Sequence, residues 1–191
     1  MAMYGTCFKI WRIDMFQITI FGNLSGVVYE KLIDRLIQQS DSFLFHLPNM
    51  GKLLVNERNI DLFPECPLGY TEEIDYDDHV EYLKNMQPFL DIIRNDIIEH
   101  HNDTGYLDQV SSIEMDVFNV MISKKTKSFF SNAHNMLSWK YPKLPEDPCF
   151  MSNGVCIFQC LAHEGMCYLN YNDPFILALL KENNIDYFRS N

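Results

Sequence analysis

The sequence predicts an α+β fold: a mixed, largely antiparallel sheet with helices mainly on one face and a β-meander at the C-terminus. Two hydrophobic periods alternate along the chain, one typical of strands and one typical of amphipathic helices. An Asn-Gly pair between two apolar runs indicates a β-hairpin late in the sequence. With 191 residues, of which 47% are hydrophobic, the chain can bury the core of a single domain.

The N-terminal part predicts a strand, a helix and a second strand. Residues 16–21 are rich in β-branched and aromatic side chains and are closed by Gly22, which is typical of a strand. Apolar residues then recur every three to four positions up to about Gln39, and Ser25 precedes them as a candidate N-cap. Residues 42–47 predict the second strand.

The predicted domain spans residues 15–191, and residues 1–14 are interpreted as an N-terminal extension. Residues 48–78 differ from their surroundings because they contain several prolines and glycines and become strongly acidic. A structureless stretch of this length is uncommon in a compact domain. We therefore expect short strands within this acidic loop, or an insertion.

The middle of the chain predicts a long helix and a strand. Helical spacing extends from residue 79 to about 101, and Pro88 inside it predicts either a kink or a junction between two helices. On this interpretation His100 and His101 end the helix. Residues 113–122 begin with strict alternation, which predicts a strand with one solvated face.

The C-terminal third predicts two further helices beside the hairpin. Ser123 is a candidate N-cap for a helix that runs to Trp139. Asp173 precedes Pro174, an N-cap followed by proline at the first helical position, and this pair predicts a helix to residue 182. Residues 185–188 are expected to return to the sheet.

Residues 149–167 hold four of the six cysteines together with a histidine and a glutamate. Asn153-Gly154 suits a type I′ turn, because both residues tolerate a positive φ. In a regular returning strand, alternation places three side chains on one face: Cys156, Phe158 and Cys160. Free cysteine packs as a small hydrophobe, so the favoured interpretation of this stretch is a structural core.

A zinc site remains open as a second interpretation of this stretch. Its candidate ligands are Cys149, Cys156, Cys160, His163 and Cys167. Cys156 and Cys160 on one regular strand lie about 13 Å apart, too far to share an ion.

A catalytic thiol is the third interpretation. One of the cysteines would act as nucleophile and His163 as its base, with Glu164 or Asp147 orienting the imidazole ring. No glycine-rich loop that could stabilise an oxyanion stands near this histidine in the sequence. Nucleotide-binding and metalloprotease motifs do not occur either, so no cofactor is predicted.

The charge of the chain bears most directly on its partners. There are 26 acidic and 15 basic residues, a net charge of −11, which argues against binding the phosphate backbone of a nucleic acid. The net charge is compatible with solubility alone or with docking on a basic protein partner, and we predict the basic partner. The candidate binding face is Glu72, Glu73, Asp75, Tyr76, Asp77 and Asp78.

The sequence also bears on the cellular location of the protein and on its oligomeric state. It shows no apolar run long enough to span a bilayer and no secretory signal, so we expect a cytoplasmic protein that does not enter membranes. Its cysteines are then expected to be thiols. A homo-oligomer is compatible with the sequence.

A resemblance rests on three segments: the run Trp139-Lys140-Tyr141-Pro142-Lys143-Leu144-Pro145-Glu146-Asp147, then Asn153-Gly154, then Ala162-His163-Glu164. This pattern resembles uncharacterised bacterial proteins with a W-x-x-P-x-L-P-E-D and H-E arrangement, some of which are labelled stage III sporulation proteins. Residues 15–22 are similar to their start. The likeness covers residues 15–48 and 138–170. It implies a small soluble α+β protein of unknown activity, of a kind often suspected as immunity or defence-related factors, and it carries over no catalytic residue.

These observations predict a non-enzymatic, acidic protein-binding factor of the immunity, inhibitor or antidefence type. The alternative is a zinc- or thiol-dependent enzyme that uses the stretch from Cys149 to Cys167. A third class, an architectural subunit of a larger assembly, also fits the composition.

Overall fold

The computed structural model describes residues 17–22, 24–48, 76–103, 115–141 and 143–190. Within them, four α-helices accompany one eight-stranded sheet. The strands are β1 (Ile18–Ile20), β2 (Ser42–Pro48), β3 (Ile97–Asp103), β4 (Met115–Met121), β5 (Glu146–Ser152), β6 (Val155–Leu161), β7 (Met166–Leu169) and β8 (Tyr187–Arg189). The helices are α1 (Val27–Gln39), α2 (Tyr76–Ile93), α3 (Thr126–Phe130) and α4 (Pro174–Glu182). The strands lie in the order β3-β4-β2-β5-β6-β7-β1-β8, and all their pairings are antiparallel.

The four helices pack against one face of the sheet, where α1 contacts α3 and α4, and α3 contacts α2. The core between them is aromatic. The ring centroid of Phe130 in α3 lies 5.1 Å from that of Phe43 in β2 and 4.9 Å from that of Phe150 in β5. Trp139 is fully buried, with its ring centroid 5.0 Å from that of Phe130. The predicted α+β class with helices on one face and a C-terminal meander, β5-β6-β7, is confirmed.

The other face of the sheet carries a second, smaller hydrophobic cluster. Its buried members are Leu44, Cys149, Met151, Cys156 and Tyr168. They come from β2, β5, β6 and β7, and every one of them is at most 7% exposed. We call this set the second cluster.

A β-bulge in β6 separates the two clusters within one strand. Phe150 pairs with Phe158, but its neighbour Met151 pairs with Cys156, so Ile157 is an extra residue in β6. The prediction that Cys156 shares a face with Phe158 and Cys160 is therefore wrong. The bulge turns Cys156 to the face of the second cluster and leaves the other two in the main core.

Two local sequence signals are confirmed. Asn153 and Gly154 have φ values of 51° and 75°, as the predicted type I′ turn between β5 and β6 requires. The Asp173 side chain accepts hydrogen bonds from the backbone N–H groups of Phe175 (2.8 Å) and Ile176 (3.1 Å), and so caps α4. The predicted return of the C-terminus to the sheet is also confirmed, as β8.

The long middle helix is shorter than the sequence predicted. α2 continues through Pro88 but ends at Ile93, and a 3₁₀ turn leads into β3. His100 and His101 lie in that strand, paired with β4, and not at a helix C-terminus. Sheet pairing with a strand from a later part of the chain overrides the local helical spacing here.

The helix predicted from Ser123 to Trp139 is wrong in length. α3 comprises only Thr126–Phe130, and a separate 3₁₀ turn covers Met136–Ser138. Side chains end it: the Ser131 hydroxyl donates to the carbonyl of Ser128, and the Asn132 amide donates to the carbonyls of Ser128 and Phe129. These bonds occupy carbonyl groups at the end of the helix.

The predicted cap of α1 is also wrong. α1 begins at Val27 after Gly26, which has a φ of 57°, and no side chain caps it. Ser25 instead forms an isolated bridge with Asn135. The predicted extension at residues 1–14 and most of the predicted insertion, residues 49–75, lie outside the described residues. No helix among the described residues is both long and apolar enough to cross a membrane.

Candidate functional site

The predicted acidic face lies at the start of α2 and in the chain before it. Glu72, Glu73 and Asp75 lie outside the described residues. The backbone of Tyr76, Asp77 and Asp78 forms the first turn of α2. Acidic residues are favoured at that end of a helix because the helix dipole is positive there.

The cysteine-rich stretch contains a close pair of thiols in the second cluster. The sulfurs of Cys149 in β5 and Cys156 in β6 lie 2.8 Å apart. Both residues are buried, at 3% and 0% exposure. Burial, followed by the hydrogen bond with Cys156, raises the pKa of the Cys149 thiol well above its usual value. This environment disfavours the thiolate that a nucleophile needs.

A second pair of thiols lies on the opposite face of the meander. Cys160 in β6 pairs directly across the ladder with Cys167 in β7, and both are buried in the main core. The Cys160 thiol donates to the carbonyl of Met136 at 3.4 Å. The hydrogen bond with Cys167, together with burial, raises the pKa of the Cys160 thiol well above its usual value.

The structure does not bring the five candidate zinc ligands together. The backbone of the sheet separates the first pair, Cys149 and Cys156, from the second pair, Cys160 and Cys167. A single ion cannot contact both pairs. The described cysteines instead form part of the hydrophobic interior, in agreement with the structural interpretation of this stretch.

His163 meets a carboxylate at the start of β5. It lies in the turn between β6 and β7, and its Nε2 is 2.9 Å from Oδ2 of Asp147. Asp147 is completely buried, and its other oxygen accepts the backbone N–H of Ala162 at 2.8 Å. Asp147 also has a φ of 47°, which is unusual for a residue other than glycine. The carboxylate thus holds the imidazole ring in one orientation.

Glu146 completes a small group of polar side chains at this position. One atom from each of Glu146, Asp147 and His163 can be chosen so that all lie within 4.8 Å of one another, which is close enough to share a metal ion. Oε1 of Glu146 accepts the backbone N–H of Tyr141 at 3.1 Å. Burial, and then the neighbouring charge of Asp147, raises the pKa of Glu146.

The group combines a half-exposed imidazole with a buried carboxylate, as an acid–base site does. The hydrogen bond to Asp147 raises the pKa of His163, although partial burial opposes the shift. The His163 side chain is 46% exposed, whereas the Asp147 side chain is not exposed at all. A half-exposed imidazole oriented by a buried carboxylate can exchange protons with a ligand or help to hold a cation.

The sequence suggested only part of this arrangement. Asp147 was considered as the residue that orients His163, and the structure brings these two together. The cysteine nucleophile of that hypothesis has no counterpart, because all four described cysteines are buried. Glu146 was missed as a site residue. The available signal was an acidic pair between two prolines, directly before the predicted hairpin.

No protein-family model matches the chain, and neither a curated protein nor a solved structure matches it significantly.

Proposed function

We propose that this protein is an acidic binding factor, of the immunity, inhibitor or antidefence kind, that docks on a basic protein partner. In this proposal it acts in the cytoplasm without an enzymatic activity of its own. It contacts neither nucleic acid nor a membrane, and it can bind its partner without forming a homo-oligomer.

One observation carries this proposal: the charge of the chain is concentrated in one segment. Residues 57–81 contain nine acidic residues and one arginine, a net charge of −8 out of −11 for the whole chain. The remaining residues, 17 acidic and 14 basic, are close to balanced. We call residues 57–81 the acidic segment. If solubility alone explained the charge, we would expect the excess to be spread over the surface.

A dense negative segment favours a basic partner in two ways. It speeds encounter by long-range attraction, and it opposes binding to acidic surfaces, including nucleic acids. Three tyrosines, Tyr70, Tyr76 and Tyr82, lie within or next to the acidic segment. Tyrosine is enriched among the residues that contribute most to protein–protein affinity.

The experiment compares two variants with the same change of net charge. In the first, Glu72, Glu73, Asp75, Asp77 and Asp78 are changed to the corresponding amides. In the control, five exposed acids elsewhere are changed in the same way: Glu30, Asp91, Glu99, Glu182 and Asp186. Each protein is immobilised and used to capture proteins from an extract of the cells that make it.

We expect the wild type and the control variant to retain the same basic protein, and the first variant to lose it. Equal retention by both variants would show that the acidic segment is not the binding face. Failure of all three proteins to retain a partner would contradict the proposed class of function.

The Asp147–His163 pair supports a second candidate function, an enzyme that uses a metal ion or an acid–base group at this position. It replaces the cysteine ligands of the sequence-based alternative with Glu146, Asp147 and His163. The test is titration of metal-free protein with Zn²⁺ and Mn²⁺, monitored by calorimetry. One ion bound in the wild type and none in His163→Gln would favour this candidate, and no binding in either would exclude the metal-dependent form.

A further inference from the structure

We propose that Cys149 and Cys156 are an oxidisable dithiol that closes to a disulfide across the β5–β6 hairpin on reaction with a low-molecular-weight disulfide such as glutathione disulfide. The proposal concerns a modification site on the described part of the fold, and it does not depend on the acidic segment.

The first support is the distance between the two sulfurs. They lie 2.8 Å apart, compared with about 2.05 Å in a disulfide bond. Closing this gap needs a movement smaller than an ångström. Cys156 Sγ also lies 3.5 Å from the carbonyl oxygen of Phe158, so the sulfur of Cys149 is the nearer neighbour.

The second support is the bulge that aims one of the sulfurs. If the ladder continued regularly from the pairing of Phe150 with Phe158, Ile157 would be opposite Met151 and Cys156 opposite Ser152, on the face of the main core. With the bulge it is opposite Met151, on the face that also carries Cys149. The irregularity therefore creates the pair, and the tight Asn153-Gly154 turn holds its two strands in register.

The third support is that the two cysteines lie on neighbouring paired strands. A disulfide between flexible segments must offset the loss of conformational freedom on closure. Here the sheet has already fixed both backbones, and the sulfurs are in contact before oxidation. The effective concentration of one thiol at the other is therefore high.

The reaction balances with the named oxidant. When local opening of the hairpin exposes the pair, one cysteine, as its thiolate, attacks glutathione disulfide, breaks its S–S bond and forms a mixed disulfide, releasing one glutathione. The second cysteine sulfur then attacks the mixed disulfide, forms the Cys149–Cys156 bond and releases the second glutathione. The two thiol protons end on the two glutathione molecules, so the protein is oxidised by two electrons and glutathione disulfide is reduced.

The pair of Cys160 and Cys167 provides an internal control. These residues are buried as deeply and are also on neighbouring strands. However, Cys160 and Cys167 lie within the main core, where movement of either sulfur disturbs more packed neighbours than it does in the smaller second cluster. We therefore expect the equilibrium constant for oxidation by glutathione disulfide to be about tenfold or more larger for Cys149 and Cys156.

The experiment measures the thiol content of the folded, full-length chain at equilibrium. Cys7 and Cys66 are changed to serine in all proteins. Samples stay in glutathione buffers of increasing oxidised fraction until their thiol content stops changing, because buried thiols react slowly. They are then denatured, alkylated and weighed by mass spectrometry. Two further variants are compared, Cys149→Ser/Cys156→Ser and Cys160→Ser/Cys167→Ser, each checked for folding by circular dichroism.

We expect the Cys160→Ser/Cys167→Ser variant to lose two alkylated cysteines at the same buffer composition as its parent, and the Cys149→Ser/Cys156→Ser variant to lose none there. Cleavage of the oxidised parent after Phe158 separates the two pairs and locates the bond without further substitutions. The proposal is overturned if all thiols remain alkylatable, if the bond forms between Cys160 and Cys167, or if stable glutathione adducts accumulate in place of a protein disulfide.

Discussion

Tyr29 and Trp139 form a hydrogen-bonded pair inside an otherwise apolar core. The Tyr29 hydroxyl donates to the carbonyl of Phe130 at 2.7 Å and accepts the indole N–H of Trp139 at 3.1 Å. Tyr29 is 2% exposed, and this burial raises the pKa of its hydroxyl. One oxygen therefore satisfies a buried acceptor and a buried donor, and links α1 to α3 and to the loop before β5.

Tyr29→Phe should destabilise the protein by about 3 kcal/mol, because it leaves a buried carbonyl and a buried indole N–H without a partner. The measurement is urea unfolding. We expect the slope of the free energy of unfolding against urea concentration to be the same as in the wild type. Tyr187→Phe, at a partly exposed position in β8, is the control and should change the free energy of unfolding by less than about 0.5 kcal/mol. Equal effects of the two substitutions would show that the buried pair contributes nothing specific.

The contact between Asp147 and His163 has a consequence for pH. Because the contact with Asp147 raises the pKa of His163 in the folded state, the folded protein binds this proton more tightly than the unfolded chain. The stabilisation from this contact is complete below the ordinary histidine pKa of 6.5 and is lost as the pH rises through the raised value.

Asp147→Asn should lower the pKa of His163, because the amide has one oxygen, which can still accept the backbone N–H of Ala162, but no negative charge beside the imidazole. NMR titration of the His163 ring protons measures the pKa directly. The decrease in the free energy of unfolding of the wild type above pH 6.5 should also become smaller in the variant. An unchanged His163 titration would contradict the role given to Asp147.

The β5–β6 hairpin depends on two consecutive residues with positive φ. No atom lies within 4 Å of a Cβ placed on Gly154, so the cost of a side chain there comes from the backbone conformation alone. Gly154→Ala should therefore lower the free energy of unfolding by about 1 kcal/mol. Asn153→Gly, the control at the neighbouring position, should not lower it by that route. Denaturant unfolding of both variants checks this, and a neutral Gly154→Ala would show that the turn conformation differs.

The elements that the sequence predicted well are those with local causes. The Asn153-Gly154 turn and the Asp173 cap depend on a few adjacent residues, and both are present in the structure. The elements that were wrong depend on distant parts of the chain. β3 forms because β4 pairs with it, and the bulge in β6 is defined only by its pairing with β5.

The candidate site shows the same division. His163 was identified from its turn, but its partner Asp147 is sixteen positions earlier, and only the β5-β6-β7 meander brings the two together. The four cysteines form two pairs on opposite faces of the sheet, and this was not predicted. Alternation along a regular strand instead places Cys156 and Cys160 on the same face. A single bulge residue reverses the face of Cys156.

The charge distribution connects the fold to the proposed function. The described sheet and helices account for the hydrophobic core, whereas most of the net negative charge belongs to the acidic segment that precedes and begins α2. A surface that binds through many like charges depends strongly on salt, because dissolved ions screen it. A binding face built mainly from apolar contacts does not show this dependence.

The most direct measurement is the affinity of the full-length protein for the captured basic partner, determined by calorimetry between about 50 and 400 mM salt. We predict that the wild type and the control variant, with its five amides outside the acidic segment, bind more weakly as salt increases. The variant neutralised at Glu72, Glu73, Asp75, Asp77 and Asp78 should bind at least about tenfold more weakly at low salt and depend little on salt. Wild-type affinity and wild-type salt dependence in that variant would contradict the proposed function.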